Sequence, residues 1–439
     1  MTTTTPRPSW LRTFAVIYTG QAFSLLGSTA ASFALVWWLA IGTGSAAVLA
    51  YASIAATLPQ AVVMPLAGAL VDRWDRRQVM IWADLAIAAT SVVLVGLFSA
   101  SSPATGVIYA LIALRSLGSA FHSTASQAAV PMYVPAEELT RVAGWNFFLI
   151  SGTAMAGPVL GAALMGAGSM SLVFAVDIVG AVIGAASLLL VRIPRPQRSS
   201  DDSPALGLRH DFTVGWRELA AHRGLWVLAV ILTVVTVFYM PVNALFPLMT
   251  SQHFDGGAYQ AGAVELAFGA GMLVGSLLVG WLAARFAQVR LISAGLFALG
   301  ALLAASGLLP STAYVVFVVL CVLMGLTAPI FSAPITAMLQ TRIDPSKLGR
   351  VLSFYTTLTM LVVPLGLLLA GPAAERTGVA AWLAISGAAI AAAAVAVELA
   401  PSVRALRTSP PAEAAEDDTA SLPAEPDAAE QAGSVSPRR

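Results

Sequence analysis

The sequence predicts an all-α integral membrane protein with twelve transmembrane helices in two six-helix bundles. Composition, the spacing of apolar runs and the placement of basic residues carry that prediction. The 439 residues are 58% apolar and only 10% charged, with a mean hydropathy of +0.82, which excludes an ordinary soluble globular domain. The apolar residues fall into twelve runs: 11–39, 46–71, 78–99, 105–128, 142–165, 171–192, 225–249, 258–283, 289–309, 312–338, 348–371 and 379–400. Each suffices to cross a hydrocarbon core of ~30 Å. Backbone amides in lipid must bond within their own segment, so the runs are helices. The two-residue alternation of a membrane barrel is absent.

The basic residues orient the chain. With the amino terminus in the cytoplasm, 21 of the 23 Lys and Arg fall in cytoplasmic loops, helix ends or tails. The exceptions are Arg115, inside the fourth run, and Arg376, next to Glu375 in an outer loop. Both termini are therefore expected in the cytoplasm. The one cysteine, Cys321, lies in the tenth run, which leaves no disulfide and no thiolate metal site. No cofactor, metal site or nucleic-acid contact is expected.

The longest internal polar stretch separates runs six and seven and divides the chain. The expected parts are a cytoplasmic tail (1–10), an amino-terminal bundle (11–192), a linker (193–223), a carboxy-terminal bundle (224–404) and an acidic, disordered cytoplasmic tail (405–439). Within the linker, LGLRHDFTVGWRELAAHR (206–223) spaces Leu208, Phe212, Trp216, Leu219 and Ala220 as one helical face. It reads as an amphipathic helix lying on the cytoplasmic surface.

Between runs two and three stands GALVDRWDRR (68–77), too charged for lipid and too short for a domain. Gly68 permits close helix approach, while Asp72, Arg73, Arg76 and Arg77 form a charge cluster at the cytoplasmic face. A positive-inside loop explains arginines alone; acid and base together suggest a gate in which Asp72 pairs with a neighbouring helix end in one conformation. Asp84, two turns into run three, is expected to partner the hinge arginines. The second half holds an eroded copy, GWLAAR (280–285), with Ala284 in place of Asp72 and Arg285 surviving. VPAEELTRV (134–142) matches IDPSKLGRV (343–351) at an offset of 209. Two matches near one offset indicate a parallel repeat of six helices, with a substrate site between the halves.

Ionisable groups inside the runs each cost about 2.5–3.5 kcal/mol at mid-bilayer and are candidates for function. Arg115, Ser119, His122 and Ser126 share one helical face, as do Gln21, Ser24, Ser28 and Ser32 in run one and Thr233, Thr236, Tyr239 and Asn243 in run seven. These stripes predict a water-accessible cavity shared by both halves, with Gln21, Ser24, Ser28, Ser119, Asn146, Thr236, Tyr239, Asn243 and Tyr355 as wall residues. Trp37 and Trp38 read as interfacial aromatics. Asp177 and Arg115 lie at matching depth and are expected to pair, either as a static ion pair or as one broken during a transport cycle. Glu265 has no basic partner at its depth. Burial then favours the neutral acid, which suits a proton carrier; a structural Glu bonded to a backbone carbonyl is the alternative. His122 is either a proton relay or a hydrogen-bonding core residue.

TGQAFSLLGSTAASFALVWW (19–38), residues 115–146 and FAVDIVGAVIG (174–184) resemble the macrolide-efflux and enterobactin-exporter branch of the major facilitator superfamily; VELAFGAGMLVGS (264–276) and LGRVLSF (348–354) extend the resemblance into the second half. GxLxDRxxRR is similar to the superfamily's loop signature. SGTAMAGPVLGAA (151–163) resembles its antiporter motif through Gly157, Pro158 and Gly161. Gly152 stands one residue out of step, Ala162 replaces a second glycine, and the first span lacks the acid that several multidrug relatives carry. The resemblance implies a drug:proton antiporter that expels amphipathic molecules, working by alternating access in a bacterial inner membrane; a monomer is expected, with Asp177, Glu265, Arg115 and His122, the ionisable groups read above, as coupling candidates. An exporter of one native metabolite or siderophore is the alternative, and a non-transporting sensor or scaffold a third. No nucleophile–base pair or phosphate loop suggests an enzyme.

Overall fold

The computed structural model describes residues 9–71, 74–100, 103–191, 193 and 208–407. The expectations for Asp72, Arg73, the surroundings of Gly68 and the tail beyond residue 407 lie outside the described residues. Helices α1 (Ser9–Thr43), α2 (Ala46–Val71), α3 (Arg76–Ala100), α4 (Thr105–Tyr133), α5 (Leu139–Ala167) and α6 (Met170–Leu189) form the first bundle. After the linker helix α7 (Leu208–Ala221), α8 (Arg223–Leu248), α9 (Ala258–Ala283), α10 (Gln288–Gly307), α11 (Tyr314–Arg342), α12 (Pro345–Thr377) and α13 (Val379–Leu399) form the second, followed by the short α14 (Pro401–Ala405). Eleven of the twelve long helices are apolar enough to span a membrane by length and composition. The twelfth, α4, has 29 residues but a hydropathy lowered by the Arg115, Ser119, His122 and Ser126 stripe.

The bundles repeat one set of pairings. In the first, α1 packs on α5 and α6, α2 on α4, and α3 on α4 and α6; in the second, α8 packs on α12 and α13, α9 on α11, and α10 on α11 and α13. The halves meet through α5 against α9 and α2 against α12, positions that the repeat exchanges.

Small residues bring backbones together where the site is built. A Cβ on Gly180 of α6 would lie 2.5 Å from the Phe23 carbonyl oxygen of α1, and one on Gly27 would lie 2.8 Å from Asp177 Cα. Without Cβ atoms the two helices touch by van der Waals packing, as small-residue pairs do in membranes. That approach sets Ser28 beside Asp177.

The linker helix forms where the sequence places it, and it also packs on the second bundle. Leu219 is fully buried, Phe212 and Trp216 pack edge-on against Phe354 of α12, and Glu218 pairs with Lys347 at 2.9 Å. Part of its apolar face thus covers the start of α12, while Phe212 and Trp216 stay partly exposed. The end of the molecule bearing α7 is the linker face, and the opposite end the far face. At the far face the halves are tied by side chains: Gln252 Nε2 donates to the Gly44 carbonyl at 2.6 Å, and Glu375 accepts from the Ala47 amide at 3.2 Å and from Ser45.

Candidate functional site

The charged centre of the first bundle forms because four helices point polar side chains inward. Asp177 on α6 is fully buried and Arg115 on α4 nearly so. Arg115 Nη1 lies 2.7 Å from Asp177 Oδ2 and 2.5 Å from Ser91 Oγ, with Thr90 Oγ1 at 3.3 Å. Ser91 donates to Oδ2 at 2.5 Å and Ser28 to Oδ1 at 2.8 Å. The pairing expected from matched depth is present, and hydrogen bonds offset the desolvation that a buried ion pair suffers. The network joins α1, α3, α4 and α6 into one block.

Asp84 corrects an expectation. It accepts from Gln21 Nε2 and Ser24 Oγ, each at 3.3 Å, and its Oδ1 lies 3.6 Å from His122 Nε2. It faces the bundle interior because α3 turns that side to α1 and α4, and Arg77 reaches elsewhere. Arg77 donates to the Leu188 and Leu189 carbonyls at 2.7 and 2.9 Å, capping the exposed carbonyls at the end of α6. Arg76 Nη1 approaches Met132 Sδ at 2.8 Å. Asp75, unmarked by the motif reading, accepts from the Arg77 amide at 3.1 Å and starts α3. The loop thus fastens α3 to α6. Gln21 and Ser24, expected on a cavity wall, are buried as partners of Asp84.

Between the halves lies a cavity of about 430 Å³. Thr29, Ser32 and Phe33 of α1, Ser53 and Thr57 of α2, Pro158 of α5, Met240 and Asn243 of α8, Glu265 of α9 and Leu367 of α12 all reach it. Its wall continues through Ser32, Val36 and Ser53 into an annex of about 200 Å³ inside the first bundle, bounded by Ser28, Gln60, Arg115, Ser116 and Ser119. Glu265 is partly buried on this wall, with no hydrogen bond or ion pair to another described residue. A larger groove of about 550 Å³ between Trp74, Trp82 and Phe121 opens on the outer surface of α3 and α4 and shares no residue with the cavity.

Of the predicted wall, Asn243 lines the cavity, and Ser28 and Ser119 line the annex. Tyr239 packs edge-on against Phe331 and is not among the residues that line the cavity. Thr236 bonds back to the Leu232 carbonyl at 2.9 Å, Asn146 is exposed near the start of α5, and Tyr355 packs with Leu228, Leu232 and Met338 within the second bundle. These three do not line the cavity. Trp37 is no interfacial aromatic either: it is buried with Phe33, Ala162 and Ala261 where the halves meet. Ser53, Thr57 and Gln60 were missed, although they stand at i, i+4 and i+7 on an otherwise apolar helix, the same stripe signal that marked α1 and α4.

The glycines of the antiporter-like motif act through close packing. A Cβ on Gly157 would lie 2.1 Å from Thr29 Oγ1 and one on Gly161 2.7 Å from the Ala30 carbonyl oxygen, while Gly262 of α9 rests against the Pro158 carbonyl. The motif wedges α5 between α1 and α9, at the seam of the halves.

The profile described as Major Facilitator Superfamily matches residues 17–367, across both six-helix repeats. The chain belongs to the Major Facilitator Superfamily. This facilitator is 38% identical over 381 residues to Macrolide efflux protein A of Streptococcus pyogenes, across 86% of this chain and 93% of that protein. It is 29% identical over 420 residues to the Multidrug efflux pump Tap of Mycobacterium tuberculosis, across 92% and 96%. The solved POT-family transporter PepTSo shares the fold with a TM-score of 0.67 at 13% identity, covering 92% of this chain and 100% of that one. The fold and relatives are those of transporters, and the curated relatives are efflux proteins.

Proposed function

We propose that this facilitator is a proton-coupled exporter of amphipathic small molecules, macrolide-type antibiotics among them, working by alternating access in a bacterial cytoplasmic membrane. The names of its relatives support the cargo class, and the 21 basic residues on one side support a linker face in the cytoplasm. The observation that carries the coupling is Glu265, a carboxylate with no described partner on the cavity wall that both halves share. Asp177 is held by Ser28, Ser91 and Arg115, so it serves as the static pair that keeps the first bundle rigid. Cargo enters from the linker face while the Gln252 and Glu375 bridges close the far face. Opening the far face breaks those bridges and lets a proton reach Glu265 as cargo leaves. Each proton moving down 100 mV supplies about 2.3 kcal/mol, which drives the return.

Proteoliposomes with an imposed pH gradient test the reading. Wild-type protein is expected to accumulate a macrolide against its gradient, and Glu265→Gln to lose accumulation while still equilibrating the drug. Full accumulation in Glu265→Gln would overturn the coupling assignment.

A further inference from the structure

The shared cavity and its annex differ in lining. Phe33, Val36, Met240, Pro247, Val363 and Leu367 make much of the cavity apolar. The annex is the more polar of the two, and its polar groups divide into two sets. Ser28 is committed to Asp177 at 2.8 Å, Ser32 to the Ser28 carbonyl at 2.8 Å, Ser116 to the Ala56 carbonyl at 2.6 Å, and Arg115 Nη1 to Asp177 and Ser91. Gln60, Ser53 and Ser119 form no side-chain hydrogen bond to any described residue.

Polar groups left without partners inside a membrane protein are costly unless water or a ligand meets them. A glutamine amide offers two donors and an acceptor, and each serine hydroxyl both donates and accepts. That set matches hydroxyl and ether oxygens rather than an ion, because Arg115 already has its counter-charge. Nor does the second half repeat it. The 212-residue offset that relates α2 to α9 sets Glu265 and Met272 at the places of Ser53 and Gln60, and the 209-residue offset that relates α4 to α11 sets Ala328 at that of Ser119.

We propose that the annex is a subsite for a hydroxyl-bearing substituent of the cargo, such as a sugar ring, with Gln60, Ser53 and Ser119 as its hydrogen-bonding wall. This rests on the exporter reading and extends it to a two-part cargo: a lipophilic body in the shared cavity and one oxygenated arm in the annex. Cavity and annex fall together within the 300–1,000 Å³ usual for small-ligand sites. A purely hydrophobic cation uses the cavity alone.

Equilibrium dialysis of the full chain in nanodiscs decides the matter, using a glycosylated macrolide, the same macrolide without its sugars, and tetraphenylphosphonium. Gln60→Leu and Ser119→Ala are each expected to weaken the glycosylated macrolide about three- to tenfold, the loss of one net hydrogen bond, and to leave the other two ligands within about twofold. Equal weakening of all three ligands would assign the residues a structural role and overturn the subsite. An unchanged glycosylated macrolide would also overturn it, leaving only water in the annex. Wild-type protein that binds the macrolide but moves none in proteoliposomes would defeat the export reading and leave the subsite standing. Wild-type protein that binds none of the three would defeat both.

Discussion

Arg115 and Asp177 are buried in the first bundle among Ser28, Thr90 and Ser91, whereas the 209-residue register puts Met324 and Ser386 at the matching places in the second. The offset of 212 that relates α3 to α10 sets Leu296 against Asp84, and that of 209 sets Phe331 against His122. Helix pairings are repeated, but the charged column is not. The hinges differ likewise: Arg77 grips the end of α6 through two carbonyls, while Arg285, in the turn after α9, lies over the adjacent Trp281 at 4.0 Å. A shared scaffold thus carries two mechanical characters. The first bundle is cross-tied by buried charge, and the second is held by apolar packing and presents a lone carboxylate to the cavity.

The largest test of that contrast is Arg115→Met, which strands the Asp177 carboxylate and is expected to cost about 3–5 kcal/mol. Unfolding in detergent micelles measures it, and the double variant Arg115→Met with Asp177→Leu should recover most of the loss. A single variant as stable as wild type would mean that the pair does not hold the bundle. Next come the hinges. Arg77→Gln removes charge-assisted bonds worth about 1.5–3 kcal/mol, and Arg285→Gln a cation–π contact worth about 0.5–1 kcal/mol. Equal losses in the same assay would erase the asymmetry. The smallest effect is expected from Glu375→Gln, which keeps the acceptor at the start of α2 but removes its charge, about 0.3–1 kcal/mol. Labelling of a cysteine introduced on the cavity wall should report slightly more frequent opening at the far face; less frequent labelling would contradict a bridge between the halves.

The span positions were legible because hydrophobic length and basic-residue placement are properties of single segments. The Arg115–Asp177 pair was legible too, since two opposite charges at matched depth have few alternatives in lipid. The partner of Asp84 was not. Its neighbours come from α1 and α4, and the rotation of α3 that aims it there depends on packing with three other helices. Trp37 shows the same limit, since a tryptophan near a helix end serves a lipid interface or a seam between bundles equally well until α9 is placed against α5. The seam glycines, too, gain meaning only beside Thr29 and Ala30.

The Arg115–Asp177 bond also bears on how the chain enters the membrane. Its partners are 62 residues apart, so a ribosome delivers α4 well before the carboxylate that neutralises it. Until α6 emerges, Arg115 can turn only to Thr90, Ser91 and the Ile87 carbonyl of α3. A helix with so little hydropathy and a lone guanidinium partitions poorly by itself. For α4, then, the hydrocarbon core is a favourable place only once α6 is at hand, so the charge that stiffens the finished bundle also makes its helices depend on one another during synthesis.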